Sequence, residues 1–271
     1  MLSNITIGQY YPGNSVVHKL DARMKIVLIL LMMVSVFLCK SYIALGVCSL
    51  ITALFVVIAG ISFKSILKGL KPIIIIVIFT SLLNLFYGSG EPLVQFAFIK
   101  ITKNGLINAL FMASRVILLV INGLMLTYTT TPTSLTDAIE SLLKPLHKAF
   151  KLDIHSLAMT MTIALRFIPT LIEEVDKIMS AQKSRGADME SGNLIKRVKA
   201  VVPVLIPLFV SSFRRANELA YAMECRCYRG GEGRTKMKKM HLEARDYLFL
   251  AFVCIYFAGM IVLRIYIPKV L

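Results

Sequence analysis

Five apolar stretches, residues 26–39, 42–63, 72–87, 105–130 and 247–267, contain only two charged side chains between them, Arg115 and Arg264. A helix needs about 20 predominantly apolar residues to cross the hydrocarbon core of a bilayer. Lys40-Ser41 parts the first two stretches. One helix through both would be too long for a single crossing, so they read as a tight hairpin of two spans. The first is short and borrows positions 22–25 by snorkelling. The third opens on Pro72, a residue favoured in a first helical turn. Gly88-Ser89-Gly90-Glu91-Pro92 breaks it. Positions 96–102 alternate weakly, as a short extramembrane strand or an interfacial loop would. The chain is therefore predicted to be an all-α integral membrane protein with about five transmembrane helices and a helical cytoplasmic region.

Composition agrees. The chain is 57% hydrophobic with a mean hydropathy of +0.74, against about 45–50% apolar residues in a soluble domain. Its formal charge of +16 does not point to nucleic acid. The basic residues are spread over the loops between apolar stretches, where such charges set orientation and meet anionic lipid. Lys19, Arg23 and Lys25 precede the first span, and Lys64, Lys68 and Lys71 follow the second. Both segments are expected in the cytoplasm. Five spans then leave the N-terminus inside and the C-terminus outside, in a multi-pass protein of the cell membrane. The same count puts residues 131–246 inside, with 19 of the 31 Lys and Arg and 13 of the 15 Asp and Glu. The division is 1–130 for an N-terminal membrane domain of four spans, 131–246 for cytoplasmic or interfacial helices, and 247–271 for the final span. The start of the chain has no basic segment before an apolar one, so it does not read as a cleavable signal peptide.

Residues 131–246 read as three helical units, each broken by proline. Ser134-Leu135-Thr136-Asp137 offers a capping box with Asp in place of Glu or Gln. Its helix is expected to turn near Lys144-Pro145. Positions 153–184 form a long helix kinked at Pro169, with acids Glu173, Glu174 and Asp176 before Lys177 and Lys183, an order that suits the helix dipole. Positions 194–228 contain Pro203 and Pro207. The apolar run 200–213, 14 residues long, suits an amphipathic or partly embedded helix.

Two of these units end alike. Ser184-Arg185-Gly186 closes one and Cys225-Arg226-Cys227 the other, 41 residues apart. A cation before a glycine at a helix end serves the helix dipole, and one copy says no more than that. Two copies with small neighbours suggest a two-point plug. Small flanks let a partner's backbone approach, and the guanidinium brings a rigid fork of donors.

Other polar residues are weaker candidates. Arg115 is either a charge inside the fourth span, costing about 2.5–3.5 kcal/mol, or an interfacial residue if the span starts at Val116. Asn84 and Asn122 suit interhelical hydrogen bonds, and Arg264 and Lys269 suit interfacial anchors. Arg166, Glu173 and Glu174 around Pro169 read as a solvated face in preference to a buried salt-bridge group. Cys39, Cys48 and Cys254 are expected to pack as small hydrophobes. No metal site is expected, because the four histidines lack ligand spacing and Cys225-Arg226-Cys227 has no second Cys pair or His cluster. Gly230-Gly231-Glu232-Gly233-Arg234-Thr235-Lys236 lacks phosphate-loop spacing and reads as a flexible basic loop. The chain thus offers no nucleotide-binding motif, and no enzyme activity or cofactor of its own is expected.

These residues resemble a known family. Tyr11-Pro12-Gly13-Asn14-Ser15, then His18-Lys19-Leu20-Asp21-Ala22-Arg23-Met24-Lys25, Thr131-Pro132, Leu165-Arg166-Phe167-Ile168-Pro169, Ala181 to Gly186 and Ala222 to Tyr228 are similar to the transmembrane, or T, component of energy-coupling factor transporters, the CbiQ-like permeases. The second arginine tip departs from the family's usual Ala and Gly by using two cysteines. The resemblance implies a coupling scaffold. Its partners would be two cytoplasmic ATP-binding cassette ATPases, which bind the ATP, and a membrane subunit that captures a vitamin or a metal ion. Arg185 and Arg226, with Ser184, Gly186, Cys225 and Cys227, would dock into the ATPases, and the helical region 131–246 would carry the coupling. The competing expectation is a self-sufficient ion-coupled secondary transporter. It would want ionisable groups at the bilayer midplane, and the spans are nearly free of acids.

Overall fold

Polar residues beside the apolar stretches start the helices. Ser15, Asp21, Ser41, Thr102 and Asp153 each accept a backbone N–H of the following first turn on a side-chain oxygen, satisfying a donor that has no partner inside the helix. The computed structural model describes residues 10–86, 92–96, 99–150, 153–187, 193–230 and 240–266. The turn at 88–91, positions 231–236 of the basic loop and Lys269 lie outside them. The helices are α1 Val16–Lys19, α2 Ala22–Leu38, α3 Tyr42–Ala59, α4 Phe63–Phe86, α5 Lys103–Thr129, α6 Pro132–Phe150, α7 Ile154–Ser184, α8 Leu194–Cys225 and α9 Ala244–Tyr266. The weak alternation before α5 resolves as an antiparallel hairpin, β1 Pro92–Phe96 and β2 Ile99–Thr102, paired Phe96 to Ile99 and Val94 to Ile101.

Prolines end none of these helices. Pro72, Pro145, Pro169, Pro203 and Pro207 all lie inside them. α4 therefore starts at Phe63, not at Pro72, and takes in Lys64, Lys68 and Lys71. α6 runs through Lys144-Pro145 without turning. Proline removes one hydrogen bond of the ladder and can kink a helix, but the turns on either side persist. The cap of α6 also differs from expectation. Thr131 Oγ1, not the Ser134 side chain, accepts the Ser134 N–H, and Pro132 follows at the first helical position, where its missing N–H costs nothing.

Among the described residues, five helices are long and apolar enough to cross a membrane: Tyr42–Ala59, Phe63–Leu85, Asn104–Thr129, Ile154–Ser184 and Ala244–Tyr266. The number matches the expectation but the membership does not. α2 has 17 residues, one fewer than α3. α7 qualifies through its N-terminal half, which the sequence reading had set in the cytoplasmic region.

The chain forms two compact units. The larger comprises Gly8–Leu135 and Lys238–Leu271, with α2 packed on α9 and α5, and α4 along α5. One part of its core joins Leu28, Met32, Phe55, Met125 and Val253, and a second joins Val36, Phe111, Leu118, Tyr256 and Met260. Gly69 lets α4 approach α5: a Cβ there would stand 2.7 Å from Leu124 Cδ1 and from the Tyr128 hydroxyl, which donates to the Ser65 carbonyl at 3.0 Å. The outer face of α4 is apolar and exposed, including Ile74, Ile75, Ile76, Ile78 and Phe79, as suits a helix in contact with lipid. The N-terminal segment is folded back, with Tyr11 N–H donating to the Tyr128 carbonyl at 3.0 Å. The His18 ring bridges Ser15 Oγ (2.7 Å) and the Tyr11 carbonyl (3.0 Å), and burial lowers its pKa from the usual value. The second unit is Thr136–Met237. It is built on α6, α7 and α8, with α7 packed on α8.

Candidate functional site: two arginine helix tips

The two arginines occupy the same backbone position. α7 ends at Ser184, and Arg185 is its C-terminal cap. Gly186 N–H donates to the Lys183 carbonyl and Ala187 N–H to the Gln182 carbonyl, each at 3.0 Å. Gly186 is left-handed, with φ of 84°. At the end of α8, Cys227 N–H donates to Glu224 at 2.8 Å and Tyr228 N–H to Met223 at 3.0 Å. Cys227 is left-handed too, with φ of 57°. Both ends are Schellman motifs with arginine at the cap and the left-handed residue just after it. All six tip residues, 184–186 and 225–227, are exposed. The residue after each arginine is therefore constrained by how the helix stops.

Cys227 is the one non-glycine residue with positive φ among the described residues. A side chain in that region costs roughly 1 kcal/mol that glycine avoids. Cys227→Gly is accordingly expected to stabilise the last turn of α8 by about 0.5–1 kcal/mol, read as slower amide exchange at 223–228 with no change at the end of α7.

Contacts between α7 and α8 fix where the tips lie within their unit. Arg215 Nη2 meets Glu174 Oε2 at 3.0 Å, with its guanidinium 5.9 Å from the centre of the Phe167 ring. Gln182 Nε2 donates to the Pro203 carbonyl at 3.5 Å. Moving from Glu174 to Gln182 along α7 means moving back from Arg215 to Pro203 along α8, so the helices run antiparallel. Arg185 follows Glu174 by eleven residues, and Arg226 follows Arg215 by eleven. Each tip thus stands about 16 Å along its own helix from the shared ion pair, on opposite sides of it. Glu174 was expected on a solvated face. It is instead in an interhelical pair with Arg215, 41 residues further along the chain. A second link, His155 Nδ1 to Glu140 Oε1 at 3.5 Å, joins α7 to α6.

The other polar candidates lie in the larger unit. Arg115 Nη2 donates to the carbonyl of Cys39, the C-terminal cap of α2, and its guanidinium stacks 4.8 Å from the Phe111 ring centre. α2 has no basic residue in its own last turn, so Arg115 supplies the cation its dipole favours there. Asn122 is buried and donates to the Leu118 carbonyl at 2.9 Å and across to Thr52 Oγ1 of α3 at 3.5 Å. Asn84 donates to the Thr80 carbonyl of its own helix at 2.8 Å, with no partner on another helix among the described residues. Cys39 and Cys48 are buried with their sulfurs 3.2 Å apart, and Cys48 also meets the Tyr256 hydroxyl at 2.8 Å. They pack in the second part of the core, as expected, and also take part in a small polar cluster there. Cys254 is exposed.

Residues 13–237 match the CbiQ family, described as cobalt transport protein. The chain belongs to this family. Full-length relatives agree and carry the name of the transmembrane component of energy-coupling factor transporters. The energy-coupling factor transporter transmembrane protein of Ruminiclostridium cellulolyticum is 52% identical over 264 residues, covering 97% of this chain and 98% of the relative. That of Clostridium kluyveri is 52% identical over 256 residues, 94% of each. That of Bacillus subtilis is 47% identical over 247 residues, 91% of this chain and 93% of the relative. The family match of this CbiQ-type T component spans both arginine tips.

Proposed function

We propose that this T component is the coupling subunit of an energy-coupling factor importer. It joins two cytoplasmic ATP-binding cassette ATPases to a membrane subunit that captures a vitamin or a metal ion, binds no cofactor itself, and leaves ATP to its partners. The N-terminus and both arginine tips face the cytoplasm, the C-terminus faces outward, and the chain sits in the cell membrane. Arg185 enters one ATPase and Arg226 the other, each donating to a carboxylate or to helix-end carbonyls. The observation that carries this reading is the pair of identical Schellman tips on opposite sides of the Glu174–Arg215 pair. A lone capping arginine serves its helix, whereas two equivalent ones facing away from a common crossing suit two equivalent partners. Closure of the ATPase pair on ATP would draw the tips together and drive the α7–α8 pair.

The test is co-expression of the tagged chain with ABC ATPase subunits encoded beside it, followed by purification in detergent. Both ATPases are expected to co-purify and to hydrolyse ATP. Absence of any ATPase, together with uptake by the isolated chain that follows an ion gradient and ignores ATP, would establish the secondary-transporter alternative.

A further inference from the structure

Three charged side chains at alternate positions, Asp21, Arg23 and Lys25 at the start of α2, hold both chain crossings of the larger unit. The polypeptide leaves that unit after Leu135 and returns at Lys238. On the way out, Lys25 donates from Nζ to the Thr129 carbonyl at 2.8 Å and to the His18 carbonyl at 3.0 Å. Thr129 is the last residue of α5, which has no basic residue in its own last turn, and α6 starts three residues later. On the way back, Arg23 Nη2 donates to the Met240 carbonyl at 2.9 Å and pairs with Asp21 Oδ2 at 3.1 Å. Asp246 accepts the Glu243 N–H at 2.7 Å on one oxygen and the Asp21 N–H at 3.0 Å on the other. It thereby caps α9 and ties it to the start of α2. Lys25 and Asp246 are 4% and 1% exposed.

Burying charge is costly even when it is paired, and apolar side chains would pack these helices at less expense. What ion-paired hydrogen bonds add is direction and register: greasy faces slide over one another, whereas a charged group bound to a carbonyl does not. Two acids and two bases balance here, and each is spent on a chain crossing or on the residue that holds it.

We propose that Asp21, Arg23, Lys25 and Asp246 form a force-bearing anchor, through which displacement of the Thr136–Met237 unit is delivered to the membrane helices. With both connections pinned to the start of one helix, a pull on α6 or on the segment before α9 moves α2 and is not lost as slack. These are positioning residues, and the inference rests on the coupling role proposed above.

Hydrogen exchange on the complete complex in lipid nanodiscs, nucleotide-free and with ATP trapped by vanadate, tests it. In the wild-type complex ATP is expected to change exchange both at 171–184 of α7 and in the first turns of α2 and α9. In Arg23→Gln, a change at a partly exposed side chain, and in Lys25→Met, the ATPases should still co-purify. The ATP-dependent difference at α7 should stay within about twofold, while that at α2 and α9 falls at least about fivefold. Arg23→Lys, which keeps a cation for the Met240 carbonyl and for Asp21, should restore part of it. An α2 and α9 response that persists in both variants overturns the anchor. So does a proportional loss at all three places, which is what partial unfolding produces, or a wild-type complex with no response at α2 and α9. If the wild-type chain binds no ATPase, the coupling role itself fails, and the anchor with it.

Discussion

Exchanging Arg185 and Arg226 together for glutamate is expected to abolish co-purification of the ATPases while leaving the chain folded. Both residues are exposed helix caps, and an acid at a helix C-terminus costs only about 0.3–1 kcal/mol. Thermal stability should therefore fall by no more than a few degrees. Docking is another matter. Truncating a central interface arginine costs about 2 kcal/mol or more, and reversal adds repulsion against whatever acceptor the guanidinium met. Each site should lose roughly 30-fold or more, and the pair together beyond about 10³-fold, because the second contact no longer gains from the first. Single reversals should leave a complex that survives dilution poorly. Unchanged recovery of ATPases with the doubly reversed chain would refute the docking role. Loss of helical signal by circular dichroism would instead mean that the tips are needed for folding.

How far the sequence disclosed this molecule depends on the range of the interaction. The apolar stretches are local, and they gave the helical class and most helix starts to within a few residues. The two arginine tips were legible because each is a contiguous tripeptide. Prolines misled, since proline weakens one turn while the fate of the helix depends on its neighbours: α4 starts nine residues before Pro72. Glu174–Arg215 and the anchor around Asp246 could not be read from spacing, because their partners are 41 and 225 residues apart. For the anchor there was still a trace. Asp246 opens a span, where an acid needs a reason, and Asp21, Arg23 and Lys25 crowd the opening of another. Arg115 was ambiguous for the same reason: only the end of α2, contributed by a distant part of the chain, explains a cation at that depth.

A substitution series at Gly186 separates two reasons for the small residues beside Arg185. If small size for docking were the requirement, Gly186→Ala would be tolerated best, Gly186→Asn less well and Gly186→Val poorly. The backbone predicts another order. With φ of 84°, position 186 is in the left-handed region, where alanine loses roughly 1 kcal/mol and a β-branched side chain about 2 kcal/mol or more. Asparagine is the side chain other than glycine that best accepts this conformation. Gly186→Asn should therefore keep ATPase binding within a few-fold, Gly186→Ala should weaken it by about fivefold, and Gly186→Val by about 30-fold, as the Schellman bonds from Gly186 and Ala187 open and Arg185 loses its fixed direction. Amide exchange at 183–187 should accelerate in the same order, in the isolated chain as well as in the complex. Alanine outperforming asparagine in both measurements would mean that the partner's need for room, and not the way α7 stops, sets the residue at 186.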